Sequence, residues 1–329
     1  MRCLLLLSLT ALALSAGGPN VCAQRNPPMA EQQRDAEKER YYATFNTHRR
    51  IPLQDSQRRA YETAIEYLKR FEGDRDADAR TVRQFVIEYE RGGIQAKLLA
   101  IYNSKDYAKT FALGKPILER DPENFFVLSI MTEAGFDSGQ ASKSEPLEGT
   151  LDYATRAIKL LEAGKITTAD PFKDIGTAHG YLNMVIGTIL RDKSPAEAAK
   201  AFRKAALSES FYRQDPIVYH RMGIAILKGE FAQLSNEYND KYGSQQSSPA
   251  QQAMLDRIHK LGLQAIDAYA RAVALTDPAR SQGSNQPQFS PAARNKILEQ
   301  LTALYKNFNN NSDAGLNELI ASVLSKPLP

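Results

Sequence analysis

Apolar residues recur at three- and four-residue spacing along most of the chain from Leu53 onward, which is the period of an amphipathic α-helix. In residues 58–71, for example, one stripe contains Tyr61, Ala64, Ile65 and Leu68. No segment alternates apolar and polar residues in the way that a half-buried strand does. The pattern therefore predicts an all-α fold of about a dozen helices joined by short connections.

The starts of these helices are marked by a short polar residue followed directly by proline. Such a side chain can accept the first unpaired amide hydrogens of a helix, and proline at the first helical position loses no hydrogen bond. Ser194 with Glu197, and Ser248 with Gln251, also have the spacing of a capping box. The pairs are Asp121-Pro122, Asp170-Pro171, Ser194-Pro195, Asp215-Pro216, Ser248-Pro249, Asp277-Pro278 and Ser290-Pro291.

Three kinds of segment interrupt or flank the helical region, which we place at residues 51–329. Residues 243–250 and 279–292 are rich in Gly, Ser, Gln and Pro and are predicted to be loops. Residues 24–50 are polar and mixed in charge, which favours a tether that is disordered or weakly helical. A last capping helix is predicted at 312–326, starting at Ser312 or Asp313 and stopped by Pro327.

Glycines inside two predicted helices indicate close helix packing. Tyr219, Met222, Gly223 and Ile226 follow the order aromatic, apolar, glycine, apolar, and Gly187 lies in a similar arrangement upstream. Glycine inside a helix costs about 1 kcal/mol relative to alanine, so it is retained where a neighbouring helix approaches closely. Each glycine helix is followed by a helix with the order small, aromatic, small: Ala198, Phe202, Ala205 and Ala265, Tyr269, Ala272.

These residues resemble the tetratricopeptide repeat family, over residues 90–280 and in three or four units. The resemblance implies a right-handed helical-repeat solenoid built from antiparallel helix pairs. Two departures from the family pattern are an insertion of about twenty residues after Phe231 and an unusually long helix from Pro249 to Thr276. They place the number of repeats in doubt, and not the solenoid class.

The first 23 residues have the features of a signal peptide. Arg2 precedes an apolar run of 13 residues, and Val21 to Ala23 place small residues where signal peptidase cleaves. We expect cleavage after Ala23, with cleavage after Ala16 as the alternative. A lipoprotein acylated at Cys22 is a further alternative, but the residues before it lack the small side chains that this processing needs. The chain is thus expected to be exported, to the periplasm or the outside of a bacterial cell.

Composition limits what the exported chain can do. Both cysteines, Cys3 and Cys22, lie within the predicted signal, so disulfides and thiol catalysis are excluded from the mature chain. The net charge of +4 is spread over 329 residues, which argues against nucleic acid as a partner. No other apolar run approaches 18 residues, so no stable membrane insertion of the mature chain is expected.

We find no catalytic, cofactor-binding or metal-binding motif in the sequence. The histidines are far apart, at His48, His179, His220 and His259, and none has a partner at metal-ligand spacing. A protein without enzymatic activity is therefore expected. Two alternatives remain: a cell-wall or carbohydrate-handling protein on a helical superhelix, and a purely structural or oligomerising protein.

The family resemblance implies a concave groove lined by the first helix of each unit. In this sequence the lining residues are mainly apolar, aromatic or hydroxyl-bearing, which favours an extended or helical peptide of another protein as the ligand. The alternative is that some of them are buried against a neighbouring helix or the N-terminal arm. The expected lining residues are Phe126, Ser129, Glu133, Phe136, Tyr181, Met184, Thr188, Arg191, Ile217, His220, Ile224 and Leu227.

Overall fold

The computed structural model describes residues 29–142, 144, 148–242, 248–277 and 290–329, and every regular element in these ranges is a helix. The all-α prediction is confirmed for this part of the chain. The expected signal peptide at 1–23 and most of the two expected loops lie outside the described residues. By packing, the chain divides into two compact units, Met1–Gly92 and Gly93–Pro329.

The first unit contains α1 (Met29–Arg49), α2 (Gln54–Arg70) and the first part of α3 (Ala77–Asn103). Tyr61 and Tyr89 stack with ring centroids 4.6 Å apart. This unit has its own apolar core, because its three helices bury one continuous set of side chains. The buried members are Phe45, Ala60, Ala64, Tyr67, Phe71, Ala79, Val82 and Val86.

Helix α1 occupies most of the segment expected to be a polar tether. Its Phe45 is fully buried, and its Lys38 forms ion pairs with Asp74 and Asp76, which lie beyond the end of α2. The sequence pattern predicted a disordered or weakly helical tether here because α1 is polar on average and lacks an aliphatic stripe. A few aromatic residues instead supply the buried surface that packs it onto α2.

The described part of the second unit contains the end of α3 and ten further helices. Successive helices from α4 to α9 pack on one another, so that α8 contacts α9. Helix α9 then packs on α11, and α11 packs on α12. The segment inserted after α9 contains α10, and the expected long helix is present as α11, with 27 residues. The bounds are α4 (Tyr107–Arg120), α5 (Phe125–Ser142), α6 (Thr150–Glu162), α7 (Ile175–Leu190), α8 (Pro195–Leu207), α9 (Pro216–Ile226), α10 (Ala232–Tyr242), α11 (Pro249–Leu275), α12 (Pro291–Phe308) and α13 (Leu316–Ser322).

The two helix glycines selected from the sequence, Gly187 and Gly223, lie where a neighbouring helix approaches closely. A Cβ atom at Gly187 of α7 would lie 2.9 Å from the ring of Phe202 on α8. A Cβ atom at Gly223 of α9 would lie 2.9 Å from the ring of Tyr269 on α11. Both rings are buried and leave no room for a methyl group. The predicted close approach is confirmed at both positions.

Several predicted helix starts are also confirmed. Ser248 and Gln251 form a complete capping box at the start of α11, and Asp215 and Ser290 accept backbone N–H groups at the starts of α9 and α12. These caps satisfy amide donors that have no partner within the helix.

The capping box predicted at Ser194 is wrong. Pro195 does occupy the first turn of α8, but the Ser194 side chain makes no capping hydrogen bond. Glu197, the expected second member of the box, forms an ion pair with Lys200 at 2.7 Å. The carboxylate is thus directed along the helix surface and away from the helix start.

The C-terminal helix begins later than expected. Asn309 donates through its side-chain amide to the carbonyl oxygens of Ser312 and Ala314, both at 3.1 Å, and Gly315 has a left-handed φ of 87°. These contacts hold residues 312–315 in a turn, so α13 starts at Leu316 and a short 3-10 turn follows it. No helix within the described residues is both long and apolar enough to cross a membrane.

Candidate functional site

The expected groove residues lie on α5, α7 and α9 within the second unit, except that Arg191 and Leu227 directly follow the last residues of α7 and α9. The caps of the first two helices differ from the expected Asp-Pro pairs. The α5 cap is Asn124, three residues after Asp121, and the α7 cap is Asp174, four residues after Asp170. Both helices therefore begin a few residues later than the proline signal predicts.

The α5 residues separate into buried and half-buried positions. Ser129 is fully buried, and its hydroxyl has no hydrogen-bond partner. Phe136 is buried too, whereas Phe126 and Glu133 are only half-buried. The expectation that Ser129 lines an open groove is corrected, because α4, α6 and α7 cover most of the α5 surface. For Ser129 and Phe136, the alternative of burial against a neighbouring helix is the one observed.

Glu133 lies beside a second carboxyl group that the sequence analysis did not select. Asp137 is one helical turn further along α5, and it accepts a hydrogen bond from the Tyr102 hydroxyl at 2.8 Å. Burial, and next the negative charge of Asp137, raise the pKa of Glu133 to about 7. Glu133 is therefore close to half-protonated at neutral pH.

Aromatic rings surround this pair of carboxyl groups. The ring of Tyr181 on α7 lies 6.5 Å from Phe136 in an edge-to-face arrangement, 5.4 Å from Phe172 and 6.4 Å from Tyr212. Burial, and next the charge of Glu133, raise the pKa of Tyr181 well above its usual value, so its hydroxyl stays protonated. We name Tyr102, Glu133, Asp137, Tyr181 and Tyr212 the acidic–tyrosine cluster.

A second polar contact joins α7 to α9. The guanidinium of Arg221 donates to the Thr188 hydroxyl at 2.9 Å and lies 3.9 Å from the Met184 sulfur. Thr188 in turn donates to the Met184 carbonyl oxygen at 2.8 Å. Two expected groove residues, Met184 and Thr188, are thus brought together by an arginine that the sequence analysis did not select.

Charged side chains of both signs lie around Arg221. Burial, and next the positive charge of Arg191, lower the pKa of Arg221, and Asp215 acts in the opposite direction. Arg191 lies at the end of α7 and forms an ion pair with its neighbour Asp192 at 2.8 Å. The α7–α9 contact therefore contains basic and acidic side chains in equal number, Arg191 and Arg221 with Asp192 and Asp215.

His220 lies on the side of α9 that contacts α12. Its Nε2 atom is 2.8 Å from the side-chain oxygen of Gln300, and its ring is 5.5 Å from Tyr269. Burial lowers the pKa of His220, so the neutral imidazole is favoured. Ile217 and Ile224 are half-buried on the same helix, and Leu227, which is also half-buried, directly follows its last residue. The contacts of His220 are those of a packing residue, and its neighbour Arg221 faces α7 instead.

The structure thus brings the expected residues into two groups, one at Glu133, Phe136 and Tyr181 and one at Met184 and Thr188. Sequence reasoning missed five polar residues that complete them: Tyr102, Asp137, Tyr212, Asp215 and Arg221. Helical spacing could have indicated two of these, because Asp137 is four residues after Glu133 and Arg221 is four after Ile217.

Two cavities formed by described residues lie elsewhere in the second unit. One of about 680 Å³ is lined by α11, α12, α13 and the C-terminal tail, through residues such as Leu263, Phe308 and Leu319. A smaller one lies where the tail meets α8 and α9, beside Met222 and Ile226. Among the described residues, no group of three or more His, Cys, Asp or Glu is arranged to hold a metal ion.

The chemistry available at the acidic–tyrosine cluster is binding of positive charge and hydrogen bonding. A glycosidase places its two carboxyl groups on opposite sides of the bond that it cleaves. Glu133 and Asp137 instead project from successive turns of one helix, so they approach a ligand from the same side. This arrangement suits recognition better than general acid–base catalysis of that kind.

No protein-family model matches the sequence, and no curated protein matches it either. The functional interpretation therefore depends on the residues and contacts described above.

Proposed function

We propose that this protein is a non-enzymatic helical-repeat protein that binds a segment of another protein along α5, α7 and α9. The ligand would be an extended or helical peptide lying across the three helices. In this proposal the helix pairs form a right-handed solenoid of the tetratricopeptide type, and neither a cofactor nor a nucleic acid takes part.

The repeat part of the proposal is supported by the pairs Gly187–Phe202 and Gly223–Tyr269. In each pair a glycine on one helix packs against a buried aromatic ring of another helix, α8 for Gly187 and α11 for Gly223. The two pairs are 36 residues apart at the glycines, 187 and 223. A spacing in this range is typical of two-helix repeats.

One observation carries the binding proposal: side chains of mixed character adjoin one another from α5 to α9, and Tyr181, Met184, Thr188 and Arg221 among them are half-buried. Phe136 contacts Tyr181, Met184 follows Tyr181 by one turn on α7, and Met184 with Thr188 contacts Arg221. A peptide site needs this combination of apolar surface with a few polar groups that fix orientation. Arg221 uses one of its five N–H donors on Thr188 and can offer others to a peptide.

We further propose that the protein acts outside the cytoplasm after removal of residues 1–23. The supporting observation is the sequence alone, with Arg2, the apolar run and the small residue at Ala23. N-terminal sequencing of the exported protein from the native host tests this proposal. A start at Gln24 supports it, and retention of Met1 contradicts it.

The binding proposal is tested by a pull-down from envelope extract with residues 24–329 as bait. The same bait carrying Met184→Glu and Ile224→Glu places two charges on the proposed surface. Leu207→Glu on α8 is the matched control, because it adds a charge at a position that is already 54% exposed. Circular dichroism checks that each bait keeps its helical content.

The proposal predicts a protein that is retained by the parent and by Leu207→Glu, and lost with the double variant. Retention of the same proteins by all three baits contradicts the assignment of the groove. A bait that retains no protein contradicts the whole proposal.

A second candidate function is recognition of a cell-wall carbohydrate. The tyrosine-rich wall around Tyr181 favours it, because sugar rings pack on aromatic faces and hydrogen-bond to carboxyl groups such as Glu133. Titration of the parent with peptidoglycan fragments, beside Tyr181→Leu, tests this alternative. Saturable binding that weakens at least tenfold in Tyr181→Leu would favour the carbohydrate.

A further inference from the structure

The cavity of about 680 Å³ in the second unit, which we name the α11 cavity, has walls from four parts of the chain. One wall is a single face of α11, where Lys260, Leu263, Gln264 and Asp267 follow one another at three- and four-residue spacing. The remaining walls come from α12, α13 and the C-terminal tail. The volume lies within the range of small-molecule binding sites in proteins.

Specific contacts hold these walls in place. On one side, the ring of Phe308 lies so close to the α11 backbone that a Cβ atom at Gly262 would overlap it. On the other side, the nearly fully buried guanidinium of Arg271 donates to the carbonyl oxygens of Lys326 at 3.0 Å and Pro327 at 2.9 Å. The α11 cavity is therefore preformed by packing of the chain itself, as most ligand sites are.

The surface inside the α11 cavity is mainly apolar. Leu263, Phe308 and Leu319 contribute side chains from three helices, and Leu263 remains 47% exposed. Tyr305 and Asn309 also line the cavity, but both donate hydrogen bonds to main-chain carbonyl oxygens in the turn before α13. Since these polar groups are used within the protein, the cavity suits a ligand whose larger part is hydrocarbon.

The negative groups at the α11 cavity already have basic partners. Asp267 is the single acidic side chain among the described lining residues, and the Arg271 guanidinium binds it at 2.6 Å. The main-chain oxygen of Pro329 accepts a hydrogen bond from Arg203 of α8. These groups are therefore satisfied without a cation from a ligand.

The two lysines at the α11 cavity, in contrast, are unpaired. Within the described part of the chain, neither Lys260 nor Lys326 forms an ion pair. Lys326 lies near Asp267 and interacts electrostatically with its carboxylate, so its charge is partly offset. Asp256, one turn before Lys260, instead accepts a hydrogen bond from Gln252. Lys260 is thus the less compensated of the two cations, and it favours an anionic group on the ligand.

We propose that the α11 cavity binds a long-chain carboxylate, an amphipathic anion with an unbranched hydrocarbon chain. The hydrocarbon packs on Leu263, Phe308 and Leu319, and the carboxylate pairs with the ammonium group of Lys260. The cavity shares no lining residue with the proposed peptide surface on α5, α7 and α9. The inference therefore goes beyond the proposed function and does not depend on it.

Isothermal titration calorimetry of residues 24–329 with monomeric octanoate, decanoate and dodecanoate tests the ligand class. We expect saturable binding of one carboxylate per chain, which tightens about tenfold for each pair of added methylene groups as more hydrocarbon is buried. Dodecyltrimethylammonium has the same chain and a positive head group. It should bind about tenfold more weakly than dodecanoate, because Lys260 attracts the one and repels the other.

Substitutions at Lys260 test the position of the carboxylate. Lys260→Met keeps an unbranched apolar side chain and removes the charge, so dodecanoate should bind about fivefold more weakly. Lys260→Arg retains the charge and should bind as the parent does. Lys296→Met removes an exposed positive charge of α12 that does not line the cavity, and it should have no effect.

A substitution at Leu263 tests the position of the hydrocarbon chain. Leu263→Glu places a negative charge on the apolar wall and should weaken dodecanoate binding by at least about tenfold. Leu255→Glu is the matched control, because Leu255 is 36% exposed on the same helix and lies outside the cavity. Circular dichroism checks that each variant keeps its helical content.

Two sets of results overturn this inference. Equal affinity for dodecanoate and dodecyltrimethylammonium, or unchanged binding in Lys260→Met or Leu263→Glu, shows that the carboxylate does not bind in the proposed way. Sedimentation of the protein with phosphatidylglycerol vesicles, without binding of any monomeric carboxylate, shows that it recognises a lipid surface and not a single ligand in the cavity.

Discussion

The guanidinium of Arg221 on α9 donates a hydrogen bond of 2.9 Å to the hydroxyl of Thr188 on α7. The two residues are 33 positions apart in the sequence, and their contact joins two helices of the proposed binding surface. Burial, and next the positive charge of Arg191, lower the pKa of Arg221. The hydrogen bond to Thr188 therefore stabilises a half-buried guanidinium that Arg191 repels. The hydrogen bond links α7 directly to α9, two helices that both pack on α8.

Replacement of Thr188 by valine should therefore destabilise the second unit. The change keeps the shape of the side chain and removes the acceptor of a charged donor, at a cost of about 1 kcal/mol in the free energy of unfolding. Thr302→Val is the matched control, because Thr302 is also half-buried and bonds only to a carbonyl in its own helix. Urea titrations of both variants provide the measurement. Equal destabilisation by the two substitutions would show that the contact with Arg221 contributes nothing.

The glycine–aromatic contacts make a second prediction. Gly187→Ala and Gly223→Ala each place a methyl group 2.9 Å from a buried ring, so we expect a loss of about 1–3 kcal/mol despite the better helix propensity of alanine. Gly92→Ala is the control, since no atom lies within 4 Å of the added methyl group. There the substitution should stabilise α3 by up to about 1 kcal/mol. Thermal unfolding of the three variants distinguishes packing from propensity.

The features that sequence alone could predict are those set within a few residues of the chain. The 3.6-residue period gives the helices, the Ser248–Gln251 spacing gives a capping box, and the isolated Gly223 indicates a close helix contact. Each of these depends on backbone geometry that repeats identically in any helix. The acidic–tyrosine cluster does not, because Tyr102 and Asp137 come from different helices and meet only in the folded chain.

Long-range partners also explain why some expected groove residues have other roles. His220 is bonded to Gln300, 80 positions away, and nothing in the linear pattern distinguishes that partner from other amides. Ser129 has the spacing of a groove residue, yet it is covered because α5 has helices on several sides. Helical spacing defines a face of a helix, and only packing decides whether solvent or another helix covers that face.

Helix α1 provides a prediction that separates a packed helix from a tether. Phe45→Ala should destabilise the first unit by about 3–5 kcal/mol, because the ring is fully buried among Tyr42, Phe85 and neighbouring residues. Ile51→Ala, at a position that is 37% exposed, should have a much smaller effect. Hydrogen exchange of the α1 amides reports the change locally. Fast exchange of these amides in the parent protein would contradict the packed helix.

Glu133 makes the stability of the second unit depend on pH in a way that can be calculated. Its pKa is about 7 in the folded protein and near 4.5 when unfolded, so between these values the folded state holds a proton that the unfolded state has released. Stability therefore falls as pH rises through this window, by about 3 kcal/mol, and the loss is complete above the folded pKa. The side chain of Glu133→Gln cannot ionise. Its free energy of unfolding should equal that of the parent at pH 4 and exceed it by about 3 kcal/mol at pH 8. The exposed control Glu119→Gln should show no such difference between the two pH values. Urea titrations at both pH values decide the point, and a Glu133→Gln effect that is the same at pH 4 and pH 8 would show that burial does not raise this pKa.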